Sequence, residues 1–167
     1  FWAVDINPRH VVKARALARD AGLENVVHLE ASFEELLEAD LPRFDYITMH
    51  GIWSWISPES RRDIRQFIRQ HLETGGVVYV SYNTPIGWAR RHTMGRVFRE
   101  LAHAIPGPLP QRIEIATGVL RGLIEQGKGY FADNEDATTW LDAVARTSPG
   151  RIAHEYLNDH WVMFTQR

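Results

Sequence analysis

The chain falls at once into short apolar runs that alternate with longer helical patterns. FWAV (1–4) is followed by Asp5, Ile6, Asn7 and Pro8. An apolar run tipped with an acid predicts a strand ending at Asp5. Asn7 then suits a helix N-cap and Pro8 the first helical position. Val11, Ala14, Leu17, Ala18 and Ala21 recur on one helical face, and Gly22 is placed to stop the helix. NVVHLEA reads as a second strand. SFEELLEA carries a capping box, Ser32 with Glu35 three residues on. FDYITMH is a third strand. SPESRRDIRQFIRQHL is a helix with Ser57 as cap, Pro58 first, and Ile64, Phe67, Ile68 and Leu72 facing inward. GGVVYVSYN is a fourth strand behind a glycine turn.

Strands separated by helices predict an α/β fold, a Rossmann-like parallel sheet with flanking helices. Ligands of such sheets bind at the carboxyl ends of the strands. That directs attention to Asp5–Asn7, Ala31–Phe33, Met49–Trp55 and Ser81–Trp88. From Trp88 onward the pattern is helical only. Helices are predicted near 88–104, 110–125, 134–146 and 150–159, with the rigid connector PGPLP at 106–110. The expected division is a partial α/β domain over 1–90. A helical extension over 91–167 would then pack on the sheet or lead into a further domain.

Composition narrows the chemistry. The 167 residues are enough for a sizeable core, with 44% hydrophobic and 24% charged residues. A formal net charge of -2 gives no bulk attraction toward nucleic acid or an anionic membrane, so neither partner is expected. No apolar run reaches the ~18 residues of a membrane span. The absence of cysteine excludes thiol catalysis and fits a cytoplasmic setting. His154, Glu155 and His160 lack the i,i+4 histidine spacing of a zinc helix, so no metal is expected. The arginines at 61–69 read as a solvated helix face.

Each strand end then offers candidates with two readings. Asp5 can accept hydrogen bonds from both hydroxyls of a ribose, or help cap the next helix. Ser32 and Phe33 can meet an adenine, or act as cap and core. In TMHGIWSWISPE, Gly51 allows a close backbone approach. His50 can serve as a general base or as a satisfied loop histidine. Trp53 and Trp55 can line a substrate pocket or roof the core. Tyr82, Asn83 and Trp88 can form an aromatic wall with a hydrogen-bonding amide, or Asn83 can simply make a turn with Thr84 and Pro85.

Taken together, VDINPRH, SFEEL, FDYITMHGIWSWIS and GGVVYVSYNTPIGW resemble the middle of a class I S-adenosylmethionine-dependent methyltransferase. More narrowly, they resemble the bacterial subgroup with a methyltransferase regulatory domain, which includes protein-lysine methyltransferases. HEYLNDHW is similar to a phrase at the junction toward that regulatory domain. The resemblance implies S-adenosylmethionine as cofactor, with Asp5 on the ribose and Ile6, Ser32 and Phe33 about the adenine. Met49, His50 and Gly51 would lie against the methionine part. Read from the residues themselves, Trp53, Trp55, Tyr82, Asn83 and Trp88 at the strand ends are the candidates to face the methyl acceptor, and His50 is the catalytic candidate. Many members carry an acid where Ser32 stands. The family's first strand and glycine-rich turn have no counterpart in the sequence, so the expectation is a sheet truncated at its N-terminal side. Two other classes stay open: a non-catalytic binding module of the same fold, and an NAD-dependent oxidoreductase, which Asp5 also suits. Neither acceptor nor oligomeric state is readable.

Overall fold

The computed structural model describes residues 1–165. The chain divides into two compact units, Phe1–Ser81 and the residues from Tyr82 onward. The first unit runs β1 (Trp2–Asp5), α1 (Pro8–Asp20), β2 (Val27–Glu30), α2 (Glu35–Glu38), β3 (Phe44–Met49), α3 (Pro58–His71) and β4 (Leu72–Val80). The second contains α4 (Pro85–Ala104), α5 (Leu109–Gln126), α6 (Glu135–Ala145) and α7 (Pro149–Tyr156), with a short 3-10 turn at Gly129–Phe131.

All strand pairing is parallel, as β-α-β connections require. β1 pairs with β2, placing Asp5 opposite Glu30. β3 pairs with β4, placing Met49 opposite Val80. Among the described residues these are separate two-stranded ladders, so β1 and β3 each carry one edge without a strand partner.

The caps predicted from sequence form as hydrogen bonds. The Asn7 side chain accepts from Arg9 N–H at 3.0 Å, and Ser57 Oγ accepts from Ser60 N–H at 3.1 Å. Each cap typically contributes about 1 kcal/mol. Thr84, part of an expected turn, instead caps α4 by accepting from Gly87 N–H at 3.1 Å. Helix α4 therefore starts at Pro85 and includes Trp88.

Two local features depart from the sequence pattern. α3 passes directly into β4, so Leu72 begins the strand instead of closing the helix. The glycines expected to precede the strand lie within it, at an irregularity where the register jumps from Phe44↔Leu72 to Tyr46↔Val77. Gly75 takes a φ of +85°, and a side chain on Gly76 would stand 3.0 Å from the Asp45 carbonyl. The second departure is in α1. Val11 is buried, but Leu17 on the same predicted face is 59% exposed.

The two units differ in their interiors. In the first, the buried apolar residues are Val11, Leu36, Met49 and Ile64, while Trp2, Val4, Val77 and Tyr79 remain substantially exposed. In the second, Met94, Phe98, Ile113, Leu120, Trp140 and Leu141 join one continuous core. Ile113, Ala116 and Leu120 of α5 with Ala137, Trp140, Leu141 and Val144 of α6 supply most of it. Full burial of a large apolar side chain contributes about 1.5–3 kcal/mol, so the helical unit holds the larger share of hydrophobic stabilisation.

Candidate functional site

The site residues of the first unit lie at the carboxyl ends of its two ladders. β1 ends at Asp5, and Asp5 C=O accepts from Ala31 N–H at 3.3 Å, which fixes the turn after β2 beside it. Asp5 Oδ1 accepts from Asn7 N–H at 2.8 Å, and its Oδ2 lies 2.9 Å from His10 Nδ1. The Asn7 amide is the main reason its carboxyl is held below the usual aspartate range, with His10 assisting against partial burial. Asp5 is thus a carboxylate at neutral pH. Ile6, next along, is exposed.

After β2, the capping box forms in both directions. Ser32 N–H donates to Glu35 Oε2 at 2.7 Å, and Glu35 N–H donates to Ser32 Oγ at 3.2 Å. The Ser32 amide, then its hydroxyl, hold Glu35 below the usual glutamate range. Phe33 is half-buried at the start of this turn. Ser32 is therefore committed as a cap, and what it presents outward is limited to its remaining hydroxyl capacity.

The second ladder ends in a small polar network. Met49 is buried and its C=O accepts from Ser81 N–H at 3.0 Å. Gly51, at φ +68°, donates its N–H to Ser81 Oγ at 2.7 Å. His50 Nδ1 lies 3.3 Å from Ser81 Oγ and 3.4 Å from the Tyr79 hydroxyl. The His50 and Tyr79 rings stack, 9° from parallel. His50 is thus held through Nδ1, with Nε2 outside this network. Tyr79 and Ser81 were not singled out from sequence as its supports. The strand register, Thr48 opposite Tyr79, is what brings them there.

The loop after Gly51 carries Trp53 and Trp55, both half-buried around the buried Ser54. Arg61 Nη1 donates to the Trp53 C=O at 3.2 Å and the Ile56 C=O at 2.7 Å. Arg62, Arg65 and Arg69 lie on the expected solvated face, and Arg61 is the exception. Arg61 points back from the first turn of α3 and ties the tryptophan loop.

Tyr82, Asn83 and Trp88 belong to the second unit. Tyr82 meets Phe164 edge-on at 5.9 Å, and the Asn83 C=O accepts from Phe164 N–H at 2.9 Å. Trp88 packs against Trp161 at 5.0 Å and Tyr156 at 6.5 Å. It lines a cleft of about 600 Å³ together with Arg91, His92, Tyr156 and Trp161. Among the described residues no cluster of three or more metal-binding side chains occurs. No helix among them is long and apolar enough to cross a membrane.

A family model described as a methyltransferase domain matches residues 1–78. Residues 1–78 are thus similar in sequence to a methyltransferase domain. The match covers nearly all of the α/β unit, and the parallel ladders agree with a class I methyltransferase fold. The uncharacterized protein sll1526 of Synechocystis is 41% identical over 164 residues, spanning 98% of this chain and 32% of that protein. The uncharacterized protein RP789 of Rickettsia prowazekii is 32% identical over 101 residues, spanning 60% of this chain and 17% of that one. Among solved structures, PKMT2 from Rickettsia typhi in complex with AdoHcy superposes with a TM-score of 0.69 at 23% identity. That superposition covers 97% of this chain and 30% of PKMT2. The methyltransferase domain and the helical unit together thus span about a third of the first of these relatives and of that solved chain.

Proposed function

We propose that the chain supplies the adenosine-binding edge and part of the acceptor pocket of an S-adenosylmethionine-dependent methyltransferase. The protein that carries it would methylate an amine, with a protein lysine as the favoured acceptor. The observation that carries this reading is the ionised Asp5 carboxylate at the end of β1, within a matched methyltransferase domain. Each carboxylate oxygen offers two lone pairs, and the protein engages each oxygen once. Two acceptor positions are left over, which is the number a vicinal diol needs. The residues therefore fit the ribose of this cofactor. Ile6 and Phe33 offer apolar surface for the adenine, with Ser32 at the same turn, and Met49, His50 and Gly51 stand at the carboxyl end of β3.

When bound, the cofactor supplies an electrophilic methyl group on a sulfonium. The chain's own tasks are to align the acceptor and remove a proton from its ammonium before attack. Asp5 and the Ser32–Phe33 turn would hold the cofactor that supplies this methyl group to the aligned, neutral amine. An aromatic, partly apolar surround such as Trp53 and Trp55 favours the neutral amine by desolvation. On the second unit, Tyr82, Asn83 and Trp88 are proposed as further acceptor contacts. His50 is the proposed proton acceptor. With Nδ1–H donating to Ser81 Oγ or the Tyr79 hydroxyl, the Nε2 lone pair is available for the proton. The lysine acceptor rests on the resemblance of the strand-end phrases to the lysine-methylating subgroup.

The oxidoreductase alternative shares only the acid after β1, and the family match favours the methyltransferase. Calorimetric titration of the full-length protein with S-adenosylhomocysteine and, in parallel, NAD tests the reading. Micromolar binding of the first, lost in Asp5→Ala, is expected. Binding of NAD alone, or of neither, refutes it.

A further inference from the structure

His10 completes a closed ring of hydrogen bonds around the Asp5 carboxylate. Asn7 N–H donates to Asp5 Oδ1 at 2.8 Å. The Asn7 side-chain nitrogen lies 3.3 Å from His10 Nε2, and His10 Nδ1 lies 2.9 Å from Asp5 Oδ2. An amide NH₂ only donates, so Nε2 must accept. The neutral imidazole then carries its hydrogen on Nδ1, aimed at the carboxylate. All three side chains are mutually satisfied in one tautomer.

The ring is not needed to start the helix. The Asn7 side-chain oxygen already caps α1 through Arg9 N–H, and Pro8 occupies the first helical position. His10 and Asp5 are also open to solvent, with side chains 65% and 44% exposed. Packing therefore does little to fix the carboxylate. Without His10, the Asn7 amide would hold one oxygen and the other could swing.

We propose that His10 is a positioning residue for the cofactor ribose. It pins Oδ2 while the backbone pins Oδ1, so the two remaining lone pairs are preset for the two hydroxyls. Binding then does not have to order the carboxylate, which is the general source of affinity from preorganisation. The proposal rests on Asp5 binding the ribose.

The test is calorimetric titration of the full-length protein with S-adenosylhomocysteine, using His10→Ala, His10→Asn, Asp5→Asn and the double variant Asp5→Asn/His10→Ala. Having to order the carboxylate side chain on binding predicts a Kd about two- to tenfold higher in His10→Ala. The KM for S-adenosylmethionine should rise in step while kcat is retained. His10→Asn should restore Kd to within about twofold, because its amide nitrogen stands the same number of bonds from the backbone as Nδ1. In the Asp5→Asn background, His10→Ala should add nothing. Unchanged or tighter binding by His10→Ala, or an undiminished effect in the Asp5→Asn background, overturns the proposal while leaving the ribose reading standing. If Asp5→Asn itself binds as well as wild type, the ribose reading fails, and the role of His10 with it.

Discussion

Gly95 lies buried in the middle of α4. A Cβ added there would stand 2.8 Å from Tyr156 Cδ1 and 3.0 Å from Cε1. Carbon atoms prefer about 3.5–4.0 Å, so the ring would have to retreat by roughly 0.7 Å or more. It has little room to do so. Trp140 lies 5.2 Å away edge-on, Phe98 6.1 Å and Trp88 6.5 Å. Overpacking of this kind costs about 1–3 kcal/mol, against about 0.8–1 kcal/mol regained from the better helix propensity of alanine. The net expectation for Gly95→Ala is a loss of about 1 kcal/mol, localised to α4 and α7. Gly118 and Gly122 of α5 provide the control, since an added Cβ at either meets nothing within 4 Å. There the propensity gain should stand alone and stabilise by about 0.8–1 kcal/mol. Native-state hydrogen exchange reads the local effect, which a global melt of a multidomain protein would blur. Faster exchange in α4 and α7 for Gly95→Ala, with slower exchange in α5 for Gly118→Ala, is expected. If both substitutions slow exchange alike, the claim that glycine at 95 is set by the Tyr156 ring is refuted.

Two further outcomes follow from named contacts. Arg61→Ala removes the donor to the Trp53 and Ile56 carbonyls. It should raise exchange across residues 52–57 and lower kcat/KM several-fold with S-adenosylhomocysteine affinity retained; equal losses in both would contradict a loop-specific role. Tyr156 has its pKa raised, foremost by burial and further by the Glu155 charge. A raised acid binds its proton more tightly when folded, so its contribution is intact below the ordinary tyrosine value near 10 and is lost as pH rises through the folded value. Denaturation midpoints compared at pH 9 and 11 should show an alkaline loss that Tyr156→Phe reduces, and an identical loss in the variant would rule this out.

Much of the fold was legible because its signals are local. Asn7-Pro8 and Ser57-Pro58 announce helices within two residues of where they start, and the stripe Ile113, Ala116, Leu120 identifies the buried face of α5. The Leu17 face failed because periodicity reports which side chains align, not whether a partner surface covers them. Thr84-Pro85 was ambiguous for a different reason, since the same residues serve turns and helix caps. The supports of the site were the least legible. His10 stands five residues beyond Asp5, Arg61 eight beyond Trp53, and Tyr79 some thirty beyond His50. Only the turn of α1, the fold-back of the tryptophan loop onto the start of α3 and the β3–β4 register bring these pairs together. A signal existed for His10 alone, which shares the first turn of α1 with its cap and therefore faces back toward the strand it follows.

The one-sided pairing of β1 and β3 has a practical consequence for anyone handling this polypeptide. Each strand presents a row of backbone donors and acceptors along one edge. Trp2 and Val4 in β1 and Tyr46 in β3 add apolar surface beside them. Such edges recruit any extended segment within reach, including the same strand of another molecule. Colloidal behaviour and ligand behaviour are therefore coupled in a preparation of this length. Material that scatters light or elutes early in gel filtration would be associating through these edges, and its titrations would report on clumping before they reported on chemistry.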